Sequence, residues 1–430
     1  MTAVSTPSPR AAAASSPETL VARVAIGVVA LHVVDDSFLQ PQPGTAASDH
    51  VAGGLVPLAV LAAAAWGYPR LRAGARAAVA LALGLFGVVV GIEGAYYTVN
   101  GGPSGDDFTG LLAIPAGLVL IGLGLRTLWT SRKRGGSRRR RYLRRALLTA
   151  GAVAALYLVF LPFSLAYVVT HTARATVPEP ELGAAHEDVA FKTGDGLELR
   201  GWYVPSQNGA AVIAFPGRKG PQRQARMLAR HGYGVLLFDR RGEGESEGDP
   251  NALGWKGHRD LEAAVEFLQG RPDVEPGRIG GIGLSVGGEM MITAAAELEE
   301  LRAVVSEGAG IRSVRETLDI PETWPRIATS VPWGVITPFA ALFSSSLPPP
   351  SLTDLVDRLA PRPLLLIYAV PGQGGEAELT ETYYEAAGEP KDIWLVPGSG
   401  HTGGIEAQPA EYERRVIEFF DGALLGEGVR

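Results

Sequence analysis

Ser285 stands in the run Gly283-Leu284-Ser285-Val286-Gly287, a spacing that suits one kind of chemistry. An apolar run with Ile279 and Ile282 leads into it, and a helical pattern from Glu289 to Leu298 follows. A serine on a tight strand-to-helix turn projects its hydroxyl clear of the sheet. The positions two before and two after then lie too near other backbone for a Cβ, so glycine fits there. The N-terminus of the following helix offers backbone N–H groups to a developing oxyanion, with Val286 as the first donor. The plainer alternative is a glycine-rich turn with a capping serine. A serine hydroxyl is a poor nucleophile on its own, so it needs a base, and the base needs an acid to orient it. The chain has seven histidines, and His401 sits on the glycine-flanked loop Pro397-Gly398-Ser399-Gly400-His401 after the last strand-like run.

The elements that must position these residues are legible as an alternation. A hairpin-like pair, Val189–Thr193 and Leu197–Val204, surrounds the turn Gly194-Asp195-Gly196. Strand-like runs at Ala210–Phe215, Gly234–Phe238, Ala303–Ser306, Leu364–Ala369 and Asp392–Val396 are separated by helical patterns such as Gln222–His231, Lys256–Leu268, Glu378–Ala387 and Ala410–Phe420. Strands alternating with helices predict a mostly parallel sheet covered on both faces.

From about Val189 to the C-terminus the sequence resembles the α/β-hydrolase family. The matching pieces are Phe215-Pro216-Gly217, Phe238-Asp239-Arg240-Arg241-Gly242-Glu243-Gly244-Glu245-Ser246, the Gly283–Gly287 elbow and Pro397–His401. With the apolar half ahead of it, the chain resembles actinobacterial membrane-anchored members. The resemblance implies a serine hydrolase whose triad runs in the order Ser285, acid, His401 and works through an acyl-enzyme. The family usually has an aspartate after the strand occupied here by Leu364–Ala369. This chain has none there, and Glu376, which follows a glycine-rich bend, is the first choice of acid. Glu307, at the end of the preceding strand, is the alternative. The second oxyanion donor is expected from the loop after Phe215, as the backbone N–H of Arg218. Asp239, Arg241 and Ser246 match a loop that is architectural in the family. The resemblance implies no cofactor and no metal.

The first half is a different material. Mean hydropathy is +0.12 although 20% of residues are charged, because residues 19–170 are dominated by Ala, Leu, Val and Gly. Five apolar segments, Leu20–Gln40, Val51–Tyr68, Ala77–Val99, Leu111–Thr130 and Ala146–Thr170, approach the length of about 20 residues that crosses a bilayer. The expected organisation is a disordered tail (1–18), a transmembrane helical domain of five spans (19–170), a linker (171–184) and an α/β-hydrolase domain (185–430) with a helical cap insert at about 311–352. His32, Asp35, Asp36 and Glu93 lie near corresponding ends of two spans and are expected to approach one another. The chain lacks cysteine, which excludes disulfides, thiolate metal sites and a cysteine nucleophile.

Loop charge predicts orientation. Arg70, Arg72 and Arg76 lie in the second loop and Arg132–Arg145 carries nine basic residues in the fourth, whereas the first and third loops have none. Basic loops stay inside, so five spans place the hydrolase domain on the extracytoplasmic face of the cell membrane. The basic run is then an anchor on anionic lipid rather than a nucleic-acid site. The expected partners are membrane lipids and a small-molecule or lipid-like acyl substrate. Three activities fit: hydrolysis of an ester, thioester or amide, acyl transfer by the same triad, or binding by a non-catalytic hydrolase-like domain. Oligomeric state is left open.

Overall fold

The computed structural model describes residues 16–101, 105–131, 138–320, 323–370, 372–373 and 375–426. The chain forms two compact units, one of residues 1–173 with 338–345 and one of residues 174–337 with 346–430. Most of the expected tail, and Arg132–Arg134 of the basic run, lie outside the described residues.

The first unit is helical: α1 (Pro17–Val34), α2 (Val51–Gly67), α3 (Ala73–Gly101), α4 (Gly105–Thr130), α5 (Arg138–Ala155) and α6 (Leu161–Thr170). Pro17 and Glu18, expected in the tail, form the first turn of α1, capped by Ser16. Among the described residues four stretches are long and apolar enough to cross a membrane: Pro17–Leu39, Ala47–Arg70, Ala73–Tyr96 and Phe108–Thr130. The fifth expected segment lies in α5, a π-helical turn (Leu156–Phe160) and α6, where the apolar helix Tyr157–Thr170 is shorter than a span. Glycines bring α3 and α4 backbone to backbone: a Cβ at Gly84 would lie 2.6 Å from the Gly117 carbonyl oxygen. This is the small-residue contact that packs helices where water supplies no hydrophobic drive. Thr109 Oγ1 donates to Asp35 Oδ2 at 2.6 Å and lies 3.2 Å from His32 Nδ1, so one hydroxyl links two of the expected polar groups. Asp36 lies 3.9 Å from His171 instead, and the Glu93 side chain falls outside the described residues.

The second unit is an eight-stranded sheet in the order β1-β2-β4-β3-β5-β6-β7-β8. The strands are β1 (Glu187–Lys192), β2 (Glu198–Val204), β3 (Ala211–Phe215), β4 (Gly234–Phe238), β5 (Ile279–Leu284), β6 (Leu301–Glu307), β7 (Leu364–Tyr368) and β8 (Lys391–Leu395). β2 runs antiparallel to both β1 and β4, and every other pairing is parallel. β3, β4 and β7 are apolar and buried throughout, the signature of strands covered on both faces. Alternate residues divide between two cores: Ile213, Phe215, Leu236 and Phe238 face one, while Val212, Ala214, Val235 and Leu237 face the other. The helices that flank the sheet are α7 (Gln222–Arg230), α8 (Gly257–Gln269), α9 (Val286–Ala295), α10 (Val314–Asp319), α11 (Thr323–Phe343), α12 (Glu376–Ala386), α13 (Gly404–Ala407) and α14 (Pro409–Phe420). The expected insert is thus helical. Its residues 338–345 belong to the first unit, where Phe339 and Phe343 set their rings edge-on against Phe163.

Candidate active site

Strands β5, β6 and β7 end side by side, and their following loops gather the polar residues. Ser285, between β5 and α9, has φ 52° and ψ −125°, a left-handed backbone that a serine adopts only under constraint. The glycines explain how the constraint is met. A Cβ at Gly283 would lie 2.3 Å from the Gly287 carbonyl oxygen, and one at Gly287 would lie 2.4 Å from Pro216 Cδ. The Ser285 N–H donates to the Glu307 carbonyl at 2.8 Å, tying the elbow to the end of β6.

His401, on the loop after β8, brings Nε2 to 2.8 Å from Ser285 Oγ. Its Nδ1 lies 2.7 Å from Glu376 Oε2. An ionised carboxylate only accepts, so Nδ1 carries the hydrogen and Nε2 is free to accept from the serine hydroxyl. Gly308 lies under the imidazole: a Cβ there would be 3.0 Å from His401 Cε1, and its φ is +75°. Glu376 opens α12 and is fully buried. The Ala369 N–H donates to its Oε1 at 2.8 Å, and the Gln373 N–H to its Oε2 at 3.3 Å.

Glu307, the alternative acid, is brought elsewhere. Its Oε1 accepts from the Gly404 N–H at 2.8 Å and its Oε2 from the Tyr412 hydroxyl at 2.6 Å. Burial raises its pKa, against the pull of those donors. It anchors the chain just after His401 instead of orienting the imidazole.

The expectation for Arg218 is corrected. Its backbone N–H donates to Asp239 Oδ1 at 2.8 Å, and its guanidinium donates to Asp239 Oδ2 through Nε (2.8 Å) and Nη2 (2.6 Å). A donor committed to a buried carboxylate has no hydrogen left for an oxyanion. Val286, the other expected donor, directly follows Ser285 in the structure. At the first turn of α9 its N–H has no intrahelical acceptor, and none is found among the described residues. Sequence reading missed Lys219, one residue beyond Arg218. Its N–H likewise has no acceptor among the described residues, and the residue lines the cleft that opens on Ser285. The missing signal was Asp239: an acid at the end of the neighbouring strand claims the nearer amide.

That cleft encloses about 610 Å³ and is bounded by Pro216, Lys219, Leu284, Ser285, Thr402 and the Pro178–Glu181 part of the connecting segment. Arg241 bonds to Asp260 and Asp195, and Ser246 Oγ donates to the Asp239 carbonyl, so these residues hold the loop after β4 together. Among the described residues no cluster of three or more His, Asp or Glu side chains is arranged to hold a metal ion.

Comparison with known proteins shows what the chain is similar to. The family model of X-Pro dipeptidyl-peptidase (S15 family) matches residues 167–335, a span that includes Ser285 and stops before Glu376 and His401. An uncharacterised protein of Mycobacterium tuberculosis is 33% identical over 230 residues, covering 50% of this chain and 73% of that protein. A polyketide transferase of Penicillium sp. is 37% identical over 127 residues, 28% of this chain and 43% of that one. Among solved structures, an esterase of Pyrococcus furiosus is similar with a TM-score of 0.48 and 25% identity, covering 58% of this chain and 97% of that chain.

Proposed function

The chain belongs to the α/β-hydrolase family of hydrolytic enzymes, and on that premise we infer that it is a membrane-anchored serine hydrolase acting through Ser285, His401 and Glu376. The observation that carries the reading is the unbroken run of hydrogen bonds from Ser285 Oγ through His401 to Glu376. Ser285 Oγ attacks an acyl carbonyl as its proton passes to His401 Nε2. Glu376 then faces the imidazolium across the Nδ1 bond and stabilises it. The oxyanion is received by the Val286 N–H and, as the second donor, the Lys219 N–H. His401 returns the proton to the leaving group, and water releases the acyl group by the same steps in reverse. The helical insert after Arg312 acts as a cap over the acyl group.

Four apolar helices, the apolar stretch of α6 as a fifth span, and alternating loop charge support a multi-pass protein with its hydrolase domain outside the cytoplasm. Its substrate is then an ester, thioester or amide met at the envelope, small or lipid-like, with lipids around the first unit. Acyl transfer is the second reading, favoured by the relative named as a polyketide transferase. Turnover of a panel of p-nitrophenyl esters and peptide amides, with and without an added alcohol acceptor, tests both. Release of free acid at a rate independent of acceptor supports hydrolysis. Ester product formed at the expense of acid supports transfer, and no turnover of any member contradicts both.

A further inference from the structure

Arg312 is the anomaly of the second unit. It lies at the end of the loop that leaves β6, and only 1% of it is exposed. Its Nη2 makes a single long hydrogen bond, 3.4 Å to the Gly254 carbonyl. Its Nε and Nη1 have no hydrogen-bond partner among the described residues. A buried guanidinium left this way costs several kcal/mol, and an unsatisfied buried group in a native fold calls for an explanation.

The nearby acids do not supply one. Glu316 accepts through Oε1 from the Leu352 N–H and through Oε2 from the N–H groups of Arg312 and Ser313, so it serves the backbone. Glu289 accepts from the Gly310 N–H, and its other oxygen stands 3.8 Å from Arg312 Nη1, beyond hydrogen-bond distance. Burial raises the pKa of Glu289 to about 7, with Arg312 opposing and Glu316 adding to the rise, so near neutral pH its countercharge is incomplete.

Further donors are stranded in the same region. Trp255 Nε1 and Arg240 Nη1 are buried without hydrogen-bond partners among the described residues, while Arg240 Nη2 donates to Glu243 Oε1 at 2.8 Å. Trp255 follows Gly254 in the chain, and the charges of Arg240 and Arg312 act on one another. The place is next to the elbow. A Cβ at Gly254 would lie 2.7 Å from Val286 Cγ2, the residue after the nucleophile. The loop carrying Arg312 begins at Gly308 beneath His401. What these residues leave unsatisfied is all donor, with the Arg312 cation lacking a hydrogen-bonded carboxylate, which matches a ligand group that is all acceptor and anionic.

We propose that Arg312, with Arg240 and Trp255, forms a subsite beside Ser285 for a carboxylate or phosphate carried by the acyl part of the substrate. The inference rests on the hydrolase reading and deepens it, by making the substrate an acyl compound with an anionic far end. Arg312 Nε and Nη1 lie on different edges of the guanidinium, so each offers such an oxygen one charge-assisted hydrogen bond.

The test uses the full-length protein in detergent and two probes of equal chain length, p-nitrophenyl pentanoate and the p-nitrophenyl monoester of glutaric acid. The expected preference in kcat/KM for the carboxylate ester is about 10- to 100-fold, the worth of a charge-assisted pair. R312Q should bring the ratio close to one. R240Q, at a less buried position, should lower it part of the way and serves if R312Q does not fold. A ratio at or below one in wild type overturns the subsite, as does a ratio unmoved in both variants. Fluorophosphonate labelling of Ser285, run in parallel, keeps the two readings apart: labelled protein with no preference loses the subsite alone. If Ser285 does not label, the hydrolase reading fails, and the subsite is judged by melting temperature. Glutarate or inorganic phosphate should then raise it above chloride at equal ionic strength in wild type and not in R312Q, and whichever anion acts identifies the group. No rise with either overturns the subsite.

Discussion

Glu376 and His401 are joined through one carboxylate oxygen, Oε2 to Nδ1 at 2.7 Å, while the other oxygen is held by the Ala369 N–H at 2.8 Å. The carboxylate is therefore fixed at both ends, and the imidazole it meets has one allowed tautomer. Glutamine at 376 would present an amide to Nδ1 and favour the wrong one. E376Q should lower kcat about 10³- to 10⁴-fold with the fold intact. E307Q should leave kcat within about tenfold and act on stability, since glutamine keeps one acceptor oxygen for the two donors, the Gly404 N–H and the Tyr412 hydroxyl. Steady-state kinetics and melting curves on both variants check this. A dead E307Q beside a fully active E376Q would reverse the assignment.

Arg218 is tied to Asp239 by main chain and side chain alike, both partners being almost fully buried. R218A leaves Asp239 as a buried charge without its cation. The expected loss is about 3–5 kcal/mol of stability. Chemical unfolding of the full chain measures it. A variant of unchanged stability but with kcat reduced more than about 100-fold would instead place Arg218 in the chemistry.

Much of this site could be read from the residue order. Gly283 and Gly287 are demanded by contacts within the elbow itself, so their spacing alone reports it. The strand Gly234–Phe238 falls where its apolar run and bounding turns put it. What could not be read depends on side chains distant in the chain. Arg218 lost its expected part to Asp239, 21 residues away, and Glu307 to Tyr412, 105 residues away. The burial of Arg312 has no local signature either, since a short loop between a strand and a polar helix start reads as exposed. The fifth apolar segment, Ala146–Thr170, is divided between α5, a π-helical turn and α6, a division that an average over its composition does not register.

Glu289 carries a pH dependence. Its pKa in the folded chain is raised to about 7 from the ordinary glutamate value of 4.5, mainly by burial. A raised carboxyl favours folding in its protonated form, so its contribution is complete below about 4.5 and is lost as pH rises to about 7. E289Q should remove that slope, which for one such group is on the order of a few kcal/mol across the window. Unfolding free energies of wild type and E289Q between pH 4.5 and 8 test it. Parallel curves would mean that Glu289 stays ionised in the fold.

Orientation follows from charge at the loops. Arg70, Arg72 and Arg76 and the Arg138–Arg145 run belong inside if the chain obeys the usual bias, which leaves the C-terminus outside after five spans. A C-terminal alkaline phosphatase fusion should be active and a C-terminal fluorescent-protein fusion dark. The opposite pattern means that Tyr157–Thr170 does not cross, in keeping with its short length.

Whether Ser285 is a nucleophile activated by His401 can be measured without any knowledge of the substrate. Full-length protein is treated with a fluorophosphonate probe and the modified peptide is identified by mass spectrometry. The modification should map to Ser285, be absent in S285A, and slow at least about 100-fold in H401A. Folded wild-type protein that takes no label, or takes it on another residue, would mean that Ser285 is not an activated nucleophile.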